Sequence, residues 1–287
     1  MQRLQIHHVT EYKFTAPVTL QPHRLLLRPR EGHDIRIESS MLEISPAHAI
    51  NWHRDVFDNS VAVVRFLEPA QQLTVASEVI IQHYEQAPLD FIVEDYAVNY
   101  PFVYNAEERV DLLPFQTAVY SADQRPLQEW LGTFGLAGGS VETFVLLDRI
   151  NRNIAMEFSY TVREEQGVQP PAQTLASRSG SCRDYATLFM EACRHLGLAS
   201  RFVTGYLHAP STEAGNASTH AWAEVYLPGP GWKGFDPTSG ELTGNEHIPV
   251  AVARHPESVP PVAGSFIGTG GPTPTLVVDV RVSTLPG

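Results

Sequence analysis

The hydrophobic period of this chain is two residues in its first third, close to 3.6 in the middle and two again toward the end, which calls for strands, then helices, then strands. Between Leu4 and about Tyr84 the runs "LQIHHVTEYKF", "IRIESSMLEIS", "VAVVRFLE" and "LTVASEVIIQH" alternate apolar with polar residues and are separated by Pro, Gly, Asn and Asp. That spacing predicts an antiparallel, β-sandwich-like domain over residues 1–85. The following "QAPLDFIVEDYAVNYPFVYNAEER" has prolines and no sustained period, and residues 86–138 read as a connector. In "SVETFVLLDRINRNIAMEFSYT", Val141, Phe144, Val145, Leu147 and Ile150 fall at helical intervals, with Ser140 as the expected cap and Glu142 and Thr143 behind it. After the loop "REEQGVQPPAQTLASRSGS" the helical period returns, with Ala186, Phe189, Met190, Cys193 and Leu196 on one stripe and Gly197 where the helix would close. Period two resumes in "RFVTGYLH", "STHAWAEVYL" and "GWKGFDPT". Residues 139–287 therefore read as an α+β core, helices first and antiparallel sheet after, with a C-terminal extension in which "TGGPTPTLVVDVRVSTLPG" holds a late strand.

Charge and composition narrow the partners. A formal net charge of -12 with no cluster of Lys and Arg argues against nucleic acid or an anionic membrane, because phosphate binding draws on grouped cations. Two cysteines are too few for a disulfide framework. The stretch "MQRLQIHHVTEYKFTAP" lacks the basic start and apolar core of a signal peptide, and no run is long enough to span a bilayer, so a cytoplasmic protein is expected. The 12 histidines are scattered, without a CxxC or HExxH pattern, and neither a metal nor another cofactor is expected.

Cys182 sits where the polar run "SRSGS" meets the helical pattern. If the helix begins there, its sulfur lies beside unpaired backbone N–H groups at the positive end of the helix dipole, a setting that favours the nucleophilic thiolate. The residues alone leave open that Cys182 is a small buried hydrophobe, and for Cys193, on the apolar stripe, that reading is preferred. The two lie 11 residues apart, ~16 Å of helical rise, too far for a disulfide or a shared metal. Asp184 and Tyr185, in the first helical turn, read as residues that orient the site or stabilise the helix end, and the structural role is preferred for both.

A nucleophile needs a base and a group to orient it. In "STHAWAEVYLPGPGWKGFDPTSG", His220 shares one strand face with Trp222, Glu224 and Tyr226, while Ala221, Ala223, Val225 and Leu227 point the other way. Asp236 closes the return strand before Pro237. Cys182, His220 and Asp236 thus supply the types required for nucleophile, base and orienter. Trp222 reads either as a wall of the substrate cleft or as a core tryptophan.

The sequences "GSCRDYA", "ACRHLGLASRFVTGY", "STHAWAEVYLPGPGW" and "FDPTSG", in that order, resemble the bacterial branch of the transglutaminase-like superfamily, whose members carry a β-rich N-terminal domain like residues 1 to 85 here. One departure is "GLASRF", where a proline commonly follows the glycine and apolar residue. The resemblance implies a papain-like core with Cys182 as nucleophile at the start of a central helix, His220 as base and Asp236 as its orienter. It implies a peptide or protein substrate and a Cys thioester, released by water in a cysteine protease or amidase, or by a second amine in an acyltransferase; a non-catalytic assembly protein is the third class. Hydrolysis is preferred, because no dedicated acceptor-amine site or calcium loop is recognisable. The backbone N–H of Cys182 is the first candidate for an oxyanion donor, with the side chains of Gln173 and Ser177 as further candidates.

Strand register sets a condition on this assignment. A two-residue turn at Gly229 and Pro230 would pair Pro228 with Gly231 and place Asp236 opposite Ala223, on the face away from His220. For base and orienter to meet, the connection near 228–230 must contain three residues or a bulge.

Overall fold

In the computed structural model of the protein, residues 1–84, 89–135, 139–163, 165–209, 219–268 and 274–286 are described. The N-terminal region is built from β1 (Gln2–Leu20), β2 (His23–Leu25), β3 (Ile35–Ser45), β4 (His48–Arg54), β5 (Ser60–Phe66) and β6 (Ala70–His83). Strand β1 pairs antiparallel with β6, which pairs with β3; a second sheet joins β2, β5 and β4. Alternation does what the sequence leads one to expect: Leu4 and Ile6 of β1 lie opposite Ile81 and Val79 of β6, and all four are buried. Between the sheets, Val18, Leu20, Leu25, Leu27, Ala62, Val64, Leu73 and Val75 form one apolar cluster. The β1–β6 register shifts between Lys13 and Val18, a segment that contains Pro17, which has no N–H for the ladder.

The segment expected to be a connector holds two helices. A short bridge joins β7 (Asn99–Tyr100) to β8 (Val141–Glu142), and between them lie α1 (Ala106–Gln116) and α2 (Gln124–Leu131). Only Leu112 of α1 is buried, and Pro114 lies inside that helix, so its apolar stripe is too thin to read. In α2, Leu127, Trp130 and Leu131 are buried at helical spacing, while Pro126 occupies the first turn, where its missing N–H costs nothing. The boundary expected at residues 85 and 86 falls outside the described residues.

Helix α3 (Thr143–Glu157) starts later than expected, and Ser140 does not cap it. Its first turn is fixed by another segment: the N–H of Thr143 donates to Val98 O at 2.8 Å, and its hydroxyl to Ala97 O at 2.7 Å. The short β9 (Ser159–Tyr160) and α4 (Pro171–Ser177) follow, then β10 (Ser179–Gly180), which pairs in parallel with β9, and α5 (Cys182–His195). Every residue of α5 from Asp184 to Arg194 is buried, so this helix is central to the core. Its buried Glu191 and Arg194 are partnered: Glu191 accepts the N–H groups of Val119 and Tyr120, and Arg194 bonds Glu191 at 2.7 Å and the carbonyls of Phe115, Ser200 and Arg254. Gly197, at φ +79°, closes the helix end as expected.

Strands β11 (Ser200–Leu207), β12 (His220–Leu227), β13 (Gly231–Asp236), β14 (Glu241–Leu242) and β15 (His247–Ala253) form a sheet in the order β14-β13-β12-β11-β15. Ala223, Val225, Leu227 and Phe235 belong to the same buried cluster as Ala186, Phe189, Met190 and Cys193 of α5. Leu4, Ile6, Ile35, Val79 and Ile81 of the N-terminal strands join that cluster as well. The chain then returns to the N-terminal sheets: β16 (Val262–Ala263) pairs with β2, β17 (Phe266–Ile267) with the end of β1, and β18 (Thr275–Thr284) with β1 over Leu4–Lys13. The late strand thus covers an edge of the first sheet, burying Val280 and Val282.

Gly205 of β11 is a point of close approach. A Cβ there would meet the carbonyl oxygen of Ile248 in β15 and, at 2.7 Å, Cη2 of Trp222 in β12. Gly205→Ala is expected to cost about 1–3 kcal/mol, the usual range for overpacking, measured as a fall in the urea midpoint at unchanged m-value.

Candidate active site

Three elements converge on Cys182. The first is the end of α5 itself, where Ser181 and Asp184 form a reciprocal capping box. The Asp184 carboxylate is fully buried and accepts the N–H of Ser181 at 2.8 Å, the Ser181 hydroxyl at 2.8 Å, the N–H of Gln169 at 2.7 Å and Nη1 of Arg163 at 2.8 Å. Burial alone would raise the pKa of this acid, but the donors outweigh it and hold the acid ionised. Asp184 therefore fixes the helix start, the structural role its position suggested, and leaves Cys182 at the first helical residue, partly exposed. Cys193 is fully buried, and burial pushes its thiol far above the usual range.

The second element is the β12–β13 hairpin. Leu227 pairs with Gly231 and Ala223 with Phe235, so Pro228, Gly229 and Pro230 form a three-residue connection. Gly229 (φ +100°) and Gly231 (φ +76°) supply the left-handed backbone this loop requires. The odd count brings Asp236 onto the face of His220, and His220 Nε2 lies 2.8 Å from Asp236 Oδ2. The register condition is met. Nδ1 of His220 is left for the Cys182 side chain, with which His220 also interacts. Burial pulls the His220 pKa down, but hydrogen bonds and charge from Asp236 and Cys182 raise it to about 10. Asp236 is opposed by burial too, yet the imidazoles of His220 and His247 hold it well below the usual carboxylate range.

Sequence reasoning missed His247. This residue opens β15, and its Nε2 lies 3.2 Å from the same Asp236 Oδ2. The second carboxylate oxygen accepts the N–H of Thr238 at 2.9 Å. Ring and carboxylate atoms of His220, Asp236 and His247 lie within 4.8 Å of one another, a spacing compatible with metal ligation. Here both Nε2 atoms contact the carboxylate, so the group forms a hydrogen-bonded relay.

The third element is β9, also missed. Tyr160 pairs in register with Gly180, and Thr161 N–H donates to Gly180 O at 2.8 Å, which sets the phenol beside the helix start. Tyr160 interacts with both the side chain and the backbone of Cys182; partial burial and the Cys182 side chain raise its pKa to about 12, against the Cys182 backbone, which lowers it. Its side chain remains accessible, the residue being 53% exposed. Of the two side chains suggested from sequence as oxyanion donors, the Ser177 hydroxyl bonds Ser179 O at 3.0 Å, and Gln173 is an exposed residue of α4. Trp222 lines, with His247, a cavity beside the sheet, though it is itself buried. It is 1% exposed and packs with Val203 and Val252, its ring edge-on to His247 at 5.2 Å.

The chain is similar to known proteins in both halves. Residues 4–82 match the family model described as the bacterial transglutaminase-like N-terminal region, and residues 137–237 match that of the transglutaminase-like superfamily. The uncharacterized protein Rv2569c of Mycobacterium tuberculosis is 29% identical over 99% of this chain and 93% of its own length. The uncharacterized protein ML0607 of Mycobacterium leprae is 23% identical over 98% and 99%. Among solved structures, a candidate cysteine protease from Cytophaga hutchinsonii superposes with a TM-score of 0.75 at 19% identity, covering 100% of this chain and 91% of that one; it shares the fold.

The raised pKa of His220 has a consequence for stability. A group whose pKa is higher in the folded state stabilises fully below its ordinary value, near 6.5, and loses that contribution as pH rises through about 10. The gap in melting temperature between the protein and His220→Gln should therefore be widest at pH 6 and shrink steadily toward pH 10. A gap that is constant over this range is the contrary result.

Proposed function

We propose that this chain, a bacterial transglutaminase-like protein with the N-terminal region of that group, cleaves a peptide or amide bond through a thioester on Cys182. The observation that carries the reading is the 2.8 Å contact of Asp236 with His220, whose other nitrogen is directed to a cysteine at a helix N-terminus. The Cys182 sulfur adds to the substrate carbonyl carbon. His220, charged at neutral pH, gives its proton to the leaving amine as the C–N bond breaks. Water, deprotonated by the now neutral His220, then releases the acid. During each addition the carbonyl oxygen becomes an oxyanion, and the N–H of Cys182 stands at the helix end to receive it. The Tyr160 hydroxyl, already beside that N–H and the thiol, is the candidate second donor.

Two experiments test this. Iodoacetamide at neutral pH should modify Cys182 far ahead of Cys193, and His220→Ala should slow that reaction; equal rates at the two cysteines would remove the nucleophile assignment. In a peptide mixture followed by mass spectrometry, the protein should yield free-acid products that Cys182→Ala does not, and products carrying an added primary amine in place of the acid would assign amine transfer instead. Tyr160→Phe is expected to lower turnover by about 10²-fold or more, the usual effect of losing one oxyanion donor, while Cys182 remains open to alkylation.

A further inference from the structure

His247 approaches Asp236 from across the sheet. Strand β15 pairs with β11 and not with β13, so the contact depends on sheet order and not on chain proximity. Its backbone turns back on itself: His247 N–H donates to Gly244 O at 3.0 Å, and Gly244 N–H donates to His247 Nδ1 at 3.4 Å. Since Nδ1 accepts, the ring proton resides on Nε2 and is directed at Asp236 Oδ2, 3.2 Å away. Trp222, edge-on to the ring, restrains it from a further side. Asp236 and His220 face His247 in the sheet, and His83 of β6 faces it across a cavity of about 250 Å³ that His33, Asp34, Tyr84, Asp90, Glu224 and Lys233 also line. A buried carboxylate held by one imidazole could turn about its Cβ–Cγ bond; with Thr238 on one oxygen and two imidazoles on the other, it cannot turn without breaking several bonds.

We propose that His247 is a positioning residue of the reaction, whose Nε2–H holds the Asp236 carboxylate in the orientation that keeps His220 Nδ1 toward Cys182. The inference rests on the Cys182–His220–Asp236 reading above and adds a fourth member to it. Two variants separate the hydrogen bond from mere filling of space. The amide of His247→Gln reaches as far as Nε2 and retains a donor to Asp236. The amide of His247→Asn superposes on Nδ1, so it can still accept from Gly244 but no longer reaches the carboxylate.

The measurements are the NMR titration midpoint of His220 in histidine-labelled protein, its signal identified by loss in His220→Ala, and the rate of Cys182 alkylation by iodoacetamide at pH 7. Thermal melts run in parallel. His247→Asn should lower the His220 midpoint by about one pH unit and the alkylation rate by about tenfold, one unit being a tenfold change in population. His247→Gln should leave both near the wild-type values. If His247→Asn changes only the melt, His247 serves the fold alone and the proposal is overturned; it is equally overturned if Gln and Asn behave alike. If wild-type His220 titrates at its ordinary value and its removal leaves the alkylation rate unchanged, the failure lies in the triad reading itself.

Discussion

The fully buried carboxylate of Asp184 is the constraint from which the site is built. It gathers the Ser181 N–H and hydroxyl, the Gln169 N–H and the Arg163 guanidinium, groups from three separate stretches of chain. An isolated buried charge would be costly, and the cost is offset here only because these donors, with the Gln169 side-chain amide, are in place together. Arg163 and Gln169 are thereby drawn against the start of α5. Upstream of it, β9 pairs with β10 immediately before Ser181, so Tyr160 is set next to Cys182 by the same local closure. Helix start, thiol and phenol therefore share one anchoring group.

Much of this was legible in the sequence, for identifiable reasons. Helix α5 could be read from its apolar stripe and the Gly197 stop, and Cys182 from its place where loop gives way to helix. The β12–β13 hairpin could be read more closely still: parity of side chains along paired strands required an odd connection, and "PGPG" supplies one. His247 and Tyr160 were not legible, because neither acts at a spacing the sequence records. The first reaches Asp236 through strand order, from "HIPVAVA", whose only local signal is an apolar run. The second depends on a parallel pairing of two residues with two, too short to leave a period. Helices α1 and α2 were missed because prolines stand in both, although in α2 the proline occupies the one turn that tolerates it.

The two halves of the chain are joined by more than their linker. Apolar residues of β1, β3 and β6 share a cluster with α5, and Asn59 pairs with both backbone groups of Val252 in β15, at 2.8 and 2.9 Å. Strand β15 is the strand that carries His247. The N-terminal sheets thus brace the outer strand of the core sheet, while β16, β17 and β18 return to close the first sheets at their edges.

Asp184 and Asp236 are chemically alike, each ionised, buried and surrounded by donors, yet they act at different points of the same site. Asp184 directs its charge at backbone N–H groups, a hydroxyl and a guanidinium, so it makes a fixed corner. Asp236 directs its charge at an imidazole, and there the charge has a second effect: burial would strip His220 of its proton, and the carboxylate reverses that preference. In the reaction proposed above, a proton held this firmly keeps the ring charged beside the Cys182 side chain until sulfur has bonded to the carbonyl carbon. On that reading the sulfur, once bonded to carbon, no longer competes for the imidazolium proton, which passes to the leaving amine. The proposed order, attack before proton release, requires no movement of the fold, because Asp236 and His220 are already in contact.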